Sequence, residues 1–293
     1  MEEPWTILRL IQWTTQYFSR KGVVQPRTDA EVLLAHILRT ERLQLYLRYD
    51  QPLQPRELIE YREAVRRRGS HEPLQYITGR QEFWSLELEV TPSVLIPRPE
   101  TEILVEKALA LLQQNGTAMP WVLDLGTGSG AIAVALAHEN PQIRVVATDI
   151  SSAALEVARR NAYRHGAADR IRLVAMDLCR GLADGGAAFD LIVSNPPYIA
   201  SSDIPRLAPE IARYEPRRAL DGGSQGLDAI RRIADQAHCH LKPSASLLVE
   251  VGQGQAELIR QDLSKHPAYQ AMEVIADYAG IPRVLHLRHR SGP

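Results

Sequence analysis

The chain has 293 residues, is 45% hydrophobic and carries a formal net charge of −1. That apolar content is enough for one large packed domain and a smaller one, and the near-neutral balance sets up no global attraction to nucleic acid or a membrane surface. Cys179 and Cys239 lie far apart in sequence; they form neither a disulfide framework nor a zinc spacing and fit a reducing cytoplasm. Met1-Glu2-Glu3-Pro4 is acidic and does not read as a signal peptide, and no apolar run approaches membrane-spanning length.

Residues 1–75 read as a helical domain. Trp5, Leu8, Ile11 and Trp13 fall near helical spacing. Ala30, Leu33, Leu34, Ile37 and Leu38 form a second apolar stripe, with Thr28 or Asp29 as its N-cap. Leu58, Tyr61 and Val65 make a third, ending in Arg66-Arg67-Arg68. Those arginines read as the solvated end of a helix or a contact for a ribosome-associated protein, ahead of a nucleic-acid patch. Residues 76–97 form a linker with a β-hairpin, because Phe83, Trp84, Leu86, Leu88 and Val90 partly alternate with polar residues. Ile96-Pro97-Arg98-Pro99-Glu100-Thr101-Glu102 is a proline-stiffened entry into a helix from Ile103 to Leu112.

From residue 121 strands and helices alternate. The predicted strands are Trp121–Leu125, Arg144–Thr148, Ile171–Ala175, Phe189–Ser194, Ser246–Val251, Met272–Ala276 and Arg283–Leu287. Helices are predicted over Ala131–His138, Ala153–His165, Leu227–His238 and Ala256–Leu263. This is the α/β pattern of a doubly wound, Rossmann-like sheet of seven mostly parallel strands. The last two strands leave no room for a helix between them, so they form an antiparallel hairpin at the sheet edge.

Two motifs carry the chemistry. Asp124-Leu125-Gly126-Thr127-Gly128-Ser129-Gly130 follows the first strand of the sheet and opens a helix, and Asp149 ends the next strand, where an acid would clasp a ribose diol. The loop alone fits NAD as well as another adenosine cofactor. Asp124 can accept from an ammonium group, and glycines at every second position bring the backbone close to a ligand; both favour S-adenosyl-L-methionine, with S-adenosyl-L-homocysteine as product. The second motif is Asn195-Pro196-Pro197-Tyr198, at the carboxyl end of a buried strand. Its prolines fix two φ angles and remove two donors, and Asn195 is held extended by the proline that follows it. A stiff turn here holds a planar polar group still.

Together these motifs resemble the class I methyltransferases that act on planar amino or amide nitrogens. The Asn195 side-chain oxygen and the Pro196 carbonyl can each accept one N–H of a target NH₂, aligning the nitrogen with the methyl group. Tyr198 can lie against the flat amide or base, and the product nitrogen loses its proton to solvent.

A closer resemblance rests on Ile96–Glu102, on Tyr214-Glu215-Pro216-Arg217-Arg218-Ala219-Leu220-Asp221-Gly222-Gly223 with Gly226-Leu227, and on Arg66-Arg67-Arg68-Gly69 with His71–Gly79. The set is similar to the HemK/PrmC family, the glutamine methyltransferases of peptide-chain release factors. That resemblance implies a class I methyltransferase domain over residues 98–293 and methylation of the glutamine amide in the Gly-Gly-Gln loop of class I release factors. It places the cofactor on Gly126, Thr127, Gly128, Ser129, Gly130 and Asp149. The amide clamp falls on Asn195, Pro196, Pro197 and Tyr198. It puts the adenine amino group at Asp177, followed by Leu178 where many relatives carry an aromatic. It also implies that the N-terminal helical domain grips the release factor. From the cysteines, the charge balance and the spacing of His238-Cys239-His240, the protein is expected to be a cytoplasmic monomer with no metal and no direct nucleic-acid partner.

Other readings of the same residues stay open. An adenine-N6 DNA or RNA methyltransferase uses the same clamp on a flipped base, and a dinucleotide oxidoreductase shares the glycine loop. His238-Cys239-His240 does not read as a metal site, since neighbours on a helix point in different directions. Glu250 and Gly252 either line the cleft or cap a strand; Arg98 and Glu100 either order a lid over the cofactor or pair with each other.

Overall fold

Apolar stripes punctuated by proline and glycine give the first part of the chain five helices: α1 (Ile7–Arg20), α2 (Pro26–Leu38), α3 (Arg42–Leu47), α4 (Pro55–Gly69) and α5 (Leu74–Thr78). The computed structural model describes residues 4–182, 186 and 188–290. It resolves into two compact units, one running through Arg80 and including Ala208–Tyr214, the other made of Gln81–Leu207 and the chain from Glu215 onward.

The first unit departs from the sequence reading at three points. The buried face of α1 carries Ile7, Leu10, Ile11, Thr14 and Phe18, while Trp5 and Trp13 are 40% and 50% exposed. The helix starts at Pro26 in α2, ahead of the expected caps Thr28 and Asp29, because proline's fixed φ suits the first turn. Asp29 is buried in that turn and pairs with Arg68 at 2.6 Å. Arg68, expected in solvent at the end of α4, has a side chain only 6% exposed and also pairs with Glu210 at 2.7 Å. Arg66 and Arg67 pair with Glu63 and Glu72. The three arginines are therefore neutralised locally, and they make no open basic patch.

A hairpin of β1 (Arg80–Phe83) and β2 (Leu86–Glu89) follows, all but its first residue, Arg80, belonging to the second unit. Its two-residue turn puts Trp84 and Ser85 at φ 54° and 57°, the left-handed pair that a tight hairpin requires. Then follow α6 (Glu102–Asn115), β3 (Trp121–Leu125), α7 (Ala131–Glu139), β4 (Arg144–Asp149), α8 (Ser152–Arg164), β5 (Ile171–Ala175) and β6 (Phe189–Ser194). Short helices α9 (Pro209–Tyr214, in the first unit) and α10 (Arg217–Leu220) precede α11 (Asp228–Ala237), β7 (Leu241–Glu250), α12 (Ala256–Leu263), β8 (Tyr269–Ala276) and β9 (Pro282–His289).

The sheet order is β5-β4-β3-β6-β7-β9-β8. Strands β3 to β7 pair in parallel, and β9 and β8 form the antiparallel edge hairpin that the sequence predicts. Side chains alternate between two cores. Val122 joins the cluster with α6 and α7, while Leu123 and Leu125 join the one with α11 and α12. Strand β7 starts at Leu241, five residues before the predicted Ser246. Pro243 and a left-handed Ser244 hide the strand pattern there, and its register with β6 shifts between Phe189 and Leu191. The strand order reverses between β3 and β6, so the loops after β3, β4 and β6 converge where open α/β sheets bind ligands.

Candidate active site

The loop after β3 is built from below. The Thr127 N–H donates to the Thr148 carbonyl at 2.8 Å, and the Gly130 N–H to the Thr127 carbonyl at 2.8 Å. Gly130 sits at φ +80°, and a Cβ there would lie 3.1 Å from the Ala158 Cβ, so only glycine lets α7 start this close to α8. A Cβ at Gly126 or Gly128 would instead meet open space. Asn161, fully buried on α8, clamps the loop to the hairpin. Its Nδ2 donates to the Ser129 and Glu89 carbonyls, and its Oδ1 accepts from the Glu89 N–H at 2.7 Å.

Asp124 lies under this loop, fully buried, and is not among the residues lining the cleft. The Thr127 hydroxyl donates to its Oδ2 at 2.6 Å, while Oδ1 is buried with no partner among the described residues. Burial pushes this carboxyl up to about 7; the Thr127 bond opposes the shift and the nearby Asp149 charge adds to it.

A cleft of about 740 Å³ opens above the loop. Gly126, Thr127, Gly128 and Ser129 form its floor, and Asp149, Asp177, Leu178, Asn195 and Pro197 lie on its walls. Gly130, Pro196 and Tyr198 are not among the residues that line it. The Asp149 carboxylate is fixed by two backbone donors, Gly128 N–H at 2.9 Å and Ser151 N–H at 2.8 Å, and keeps lone pairs for further donors. Asp177 pairs with Arg232 at 2.7 Å, an arginine that also lines the cleft. Leu178 beside it is left-handed, at φ 53°.

The turn after β6 is braced on every side. The Asn195 Nδ2 donates to Thr101 Oγ1 at 3.0 Å, and Asn195 Oδ1 is buried with no partner among the described residues. The Tyr198 hydroxyl, instead of facing the cleft, donates to Glu250 Oε1 at 3.2 Å, and its ring packs on the core beneath α11 and α12. Burial raises this phenol, with the Glu250 charge adding to the shift. Gln255 donates from Nε2 to the Tyr198 carbonyl at 2.7 Å and accepts the Gly252 N–H at 2.9 Å. The segment around Asp221 runs alongside, with Ile199 N–H bonded to the Leu220 carbonyl and Gly222 N–H to the Ile199 carbonyl, both at 2.9 Å. Gly226 faces the Tyr198 carbonyl directly, leaving no room for a Cβ.

The proline-stiffened motif before α6 has partners other than those expected. Arg98 pairs with the buried Glu215 carboxylate, and Glu100 faces Arg283 at 3.6 Å, so Arg98 and Glu100 are not each other's partner. Thr101 and Asn161 received no role from sequence. Asn161 carried a signal: it is a polar residue on the apolar stripe of α8, among Ala154, Val157, Ala158 and Ala162. Nothing about Thr101 foretold a partner 94 residues away.

The site thus offers a buried side-chain acceptor beside an acid-walled, glycine-floored cleft. That suits holding an N–H group against a nucleoside-sized ligand. Comparison with known proteins decides which. Residues 9–79 match the PrmC N-terminal domain family and residues 101–225 the methyltransferase small domain family. The chain is 49% identical to the release factor glutamine methyltransferase of Geobacter sulfurreducens, over 88% of each chain. It is 39% identical to the human MTRF1L release factor glutamine methyltransferase, over 98% of this chain and 88% of the relative. The chain belongs to the release factor glutamine methyltransferase family. Its fold is that of the class I methyltransferases: it superposes on a methyltransferase from Pyrococcus furiosus with a TM-score of 0.50, at 21% identity, over 71% of this chain and 90% of that one. Among the described residues no helix is long and apolar enough to cross a membrane.

Proposed function

We propose that this enzyme transfers a methyl group to the side-chain amide nitrogen of the glutamine in the Gly-Gly-Gln loop of class I release factors. The observation that carries this is Asn195. Its Nδ2 is tied down while its Oδ1 is buried and unpaired, so the residue offers an acceptor and nothing else. Among the described residues no N–H bonds the neighbouring Pro196 carbonyl. Two such acceptors take the two hydrogens of an amide NH₂ and leave its nitrogen lone pair in one direction. An unpartnered buried acceptor costs roughly 1–3 kcal/mol, which a substrate N–H relieves.

The same cleft fits S-adenosyl-L-methionine. Asp149 could accept from ribose hydroxyls, Asp177 and Leu178 on the cleft wall would be the residues to hold the adenine, and Gly126 and Gly128 leave open space against the backbone. Asp124 lies buried beneath the loop and off the cleft lining, so it acts on a bound cofactor only through the loop that it holds by the Thr127 hydroxyl. When bound, S-adenosyl-L-methionine supplies a methyl group on a sulfonium and leaves as the neutral thioether S-adenosyl-L-homocysteine. The chain positions the acceptor amide and favours the positive charge that grows on its nitrogen. That nitrogen releases one proton to solvent.

The N-terminal unit supplies the grip on the release factor. Trp13 stacks on Tyr17 at 5.4 Å with Trp5 edge-on at 6.5 Å, an exposed aromatic ladder beside a hollow of about 260 Å³. Labelled methyl transfer to a purified class I release factor, beside a variant with the loop glutamine replaced, tests the assignment. Label on nucleic acid instead would favour the adenine reading of the same turn.

A further inference from the structure

Helix α11 carries two arginines side by side, and they turn to different partners. Arg231 pairs with Asp262 on α12 at 2.6 Å. Arg232 pairs with Asp177 at 2.7 Å, and both of these residues line the cleft. Asp177 lies in the turn after β5, which is closed by the Arg180 N–H on the Asp177 carbonyl at 3.1 Å. Its carboxylate meets both neighbouring guanidinium groups on one oxygen. Arg232 Nη2 is 2.7 Å and Arg180 Nη1 3.7 Å from Oδ2, while Oδ1 has no partner among the described residues. The side chains of Arg232 and Asp177 are 44% and 31% exposed, and an ion pair so open to solvent contributes little to stability. Its consequence is geometric. The last torsion of an aspartate is soft and nearly two-fold, and holding Oδ2 stops the exchange of the two oxygens. What is left for a ligand is a single fixed acceptor, Oδ1.

Met176 and Leu178, on either side of Asp177, also line the cleft. Both are apolar, so they offer contact to a flat base without reading its ring substituents. That reading falls to Oδ1. A 6-amino purine donates to it, whereas a 6-oxo purine sets acceptor against acceptor and keeps a donor only on the neighbouring ring nitrogen. A carboxylate free to rotate can still find that donor; a fixed one cannot. We propose that Arg232 is a positioning residue: by holding Asp177 Oδ2 it presents Oδ1 to the base of the cofactor, and so makes the site prefer a 6-amino to a 6-oxo purine. This rests on the cofactor reading given under Proposed function and assigns the choice of base to an arginine on α11.

The test is calorimetry of the full chain with S-adenosyl-L-homocysteine and with S-inosyl-L-homocysteine, its 6-oxo counterpart, for wild type, Arg232→Met, Arg232→Lys and Asp177→Asn. Wild type should bind the adenosyl compound about tenfold to a hundredfold more tightly, the range of one hydrogen bond to a charged group. Arg232→Met should narrow that preference to within about threefold, by weakening the adenosyl compound and not the inosyl one. Arg232→Lys keeps a donor for Oδ2 and should restore most of the preference. Asp177→Asn can turn its NH₂ to the oxo group and should abolish or reverse it. Arg232→Met with the wild-type preference would overturn the proposal, whatever Asp177→Asn does. Equal weakening of both compounds by Arg232→Met would also overturn it, since that is the mark of a damaged cleft wall. A wild type that binds neither compound would remove the cofactor reading itself, and the proposal with it.

Discussion

At the scale of single residues, the site turns on one side-chain oxygen. Asn195→Ala removes the acceptor and leaves the prolines in place; transfer should fall roughly 10²–10³-fold in kcat, while binding of S-adenosyl-L-homocysteine, measured by calorimetry, stays near wild type. Equal loss of both would mean that Asn195 holds the fold or the cofactor and not the amide. Asn195 was legible because four consecutive residues announce a rigid turn after a buried strand. Its supports were not. Thr101, Glu250 and Gln255 act across 94, 52 and 57 residues of sequence, and no local pattern encodes such contacts. Asp124 was legible as a loop acid, but whether it faces the cleft depends on the depth of β3, which places it beneath. Tyr198 read as a platform for the amide because phenols lie on flat groups; the nearby Glu250 draws its hydroxyl inward instead.

At the scale of elements, the parallel strands were readable because short apolar runs in an alternating chain have few other uses. The hairpin before α6 read as a linker, yet Asn161 ties it to the cofactor loop with three hydrogen bonds. Asn161→Ala should destabilise the protein by about 1–3 kcal/mol or more, read by urea denaturation, and should weaken S-adenosyl-L-homocysteine binding through the loosened loop. Gly226→Ala should act on the other side of the site, driving a methyl group onto the Tyr198 carbonyl and lowering both thermal midpoint and kcat. In the helical unit the stripe of α1 was misplaced by tryptophan: Trp5 and Trp13 have the hydrophobicity of core residues and stand in solvent. Trp13→Ala should raise KM for the release factor and leave KM for S-adenosyl-L-methionine unchanged, as kinetics with each substrate varied in turn would show.

At the scale of the whole molecule, two buried carboxyls couple stability to pH. Asp124 and Glu250 rise from ordinary values of 3.8 and 4.5 to about 7 in the folded chain. The folded state therefore binds more protons than the unfolded one between those limits, and their stabilising effect, complete below the ordinary values, is lost as pH rises to about 7. Thermal denaturation from mildly acidic to mildly alkaline pH should show the midpoint falling, and Asp124→Asn should flatten that slope. The family motifs scattered along the chain make sense at this scale as well. The Ile96–Glu102 and Asp221–Gly226 segments are distant in sequence, yet both supply contacts to one four-residue turn.

The most direct test of the central claim is mass-resolved methylation of a purified class I release factor by this enzyme and S-adenosyl-L-methionine. The geometry predicts one methyl group, on the amide nitrogen of the loop glutamine, none when that glutamine is replaced, and almost none with Asn195→Ala. A methyl group elsewhere on the factor, or full transfer by Asn195→Ala, would contradict it.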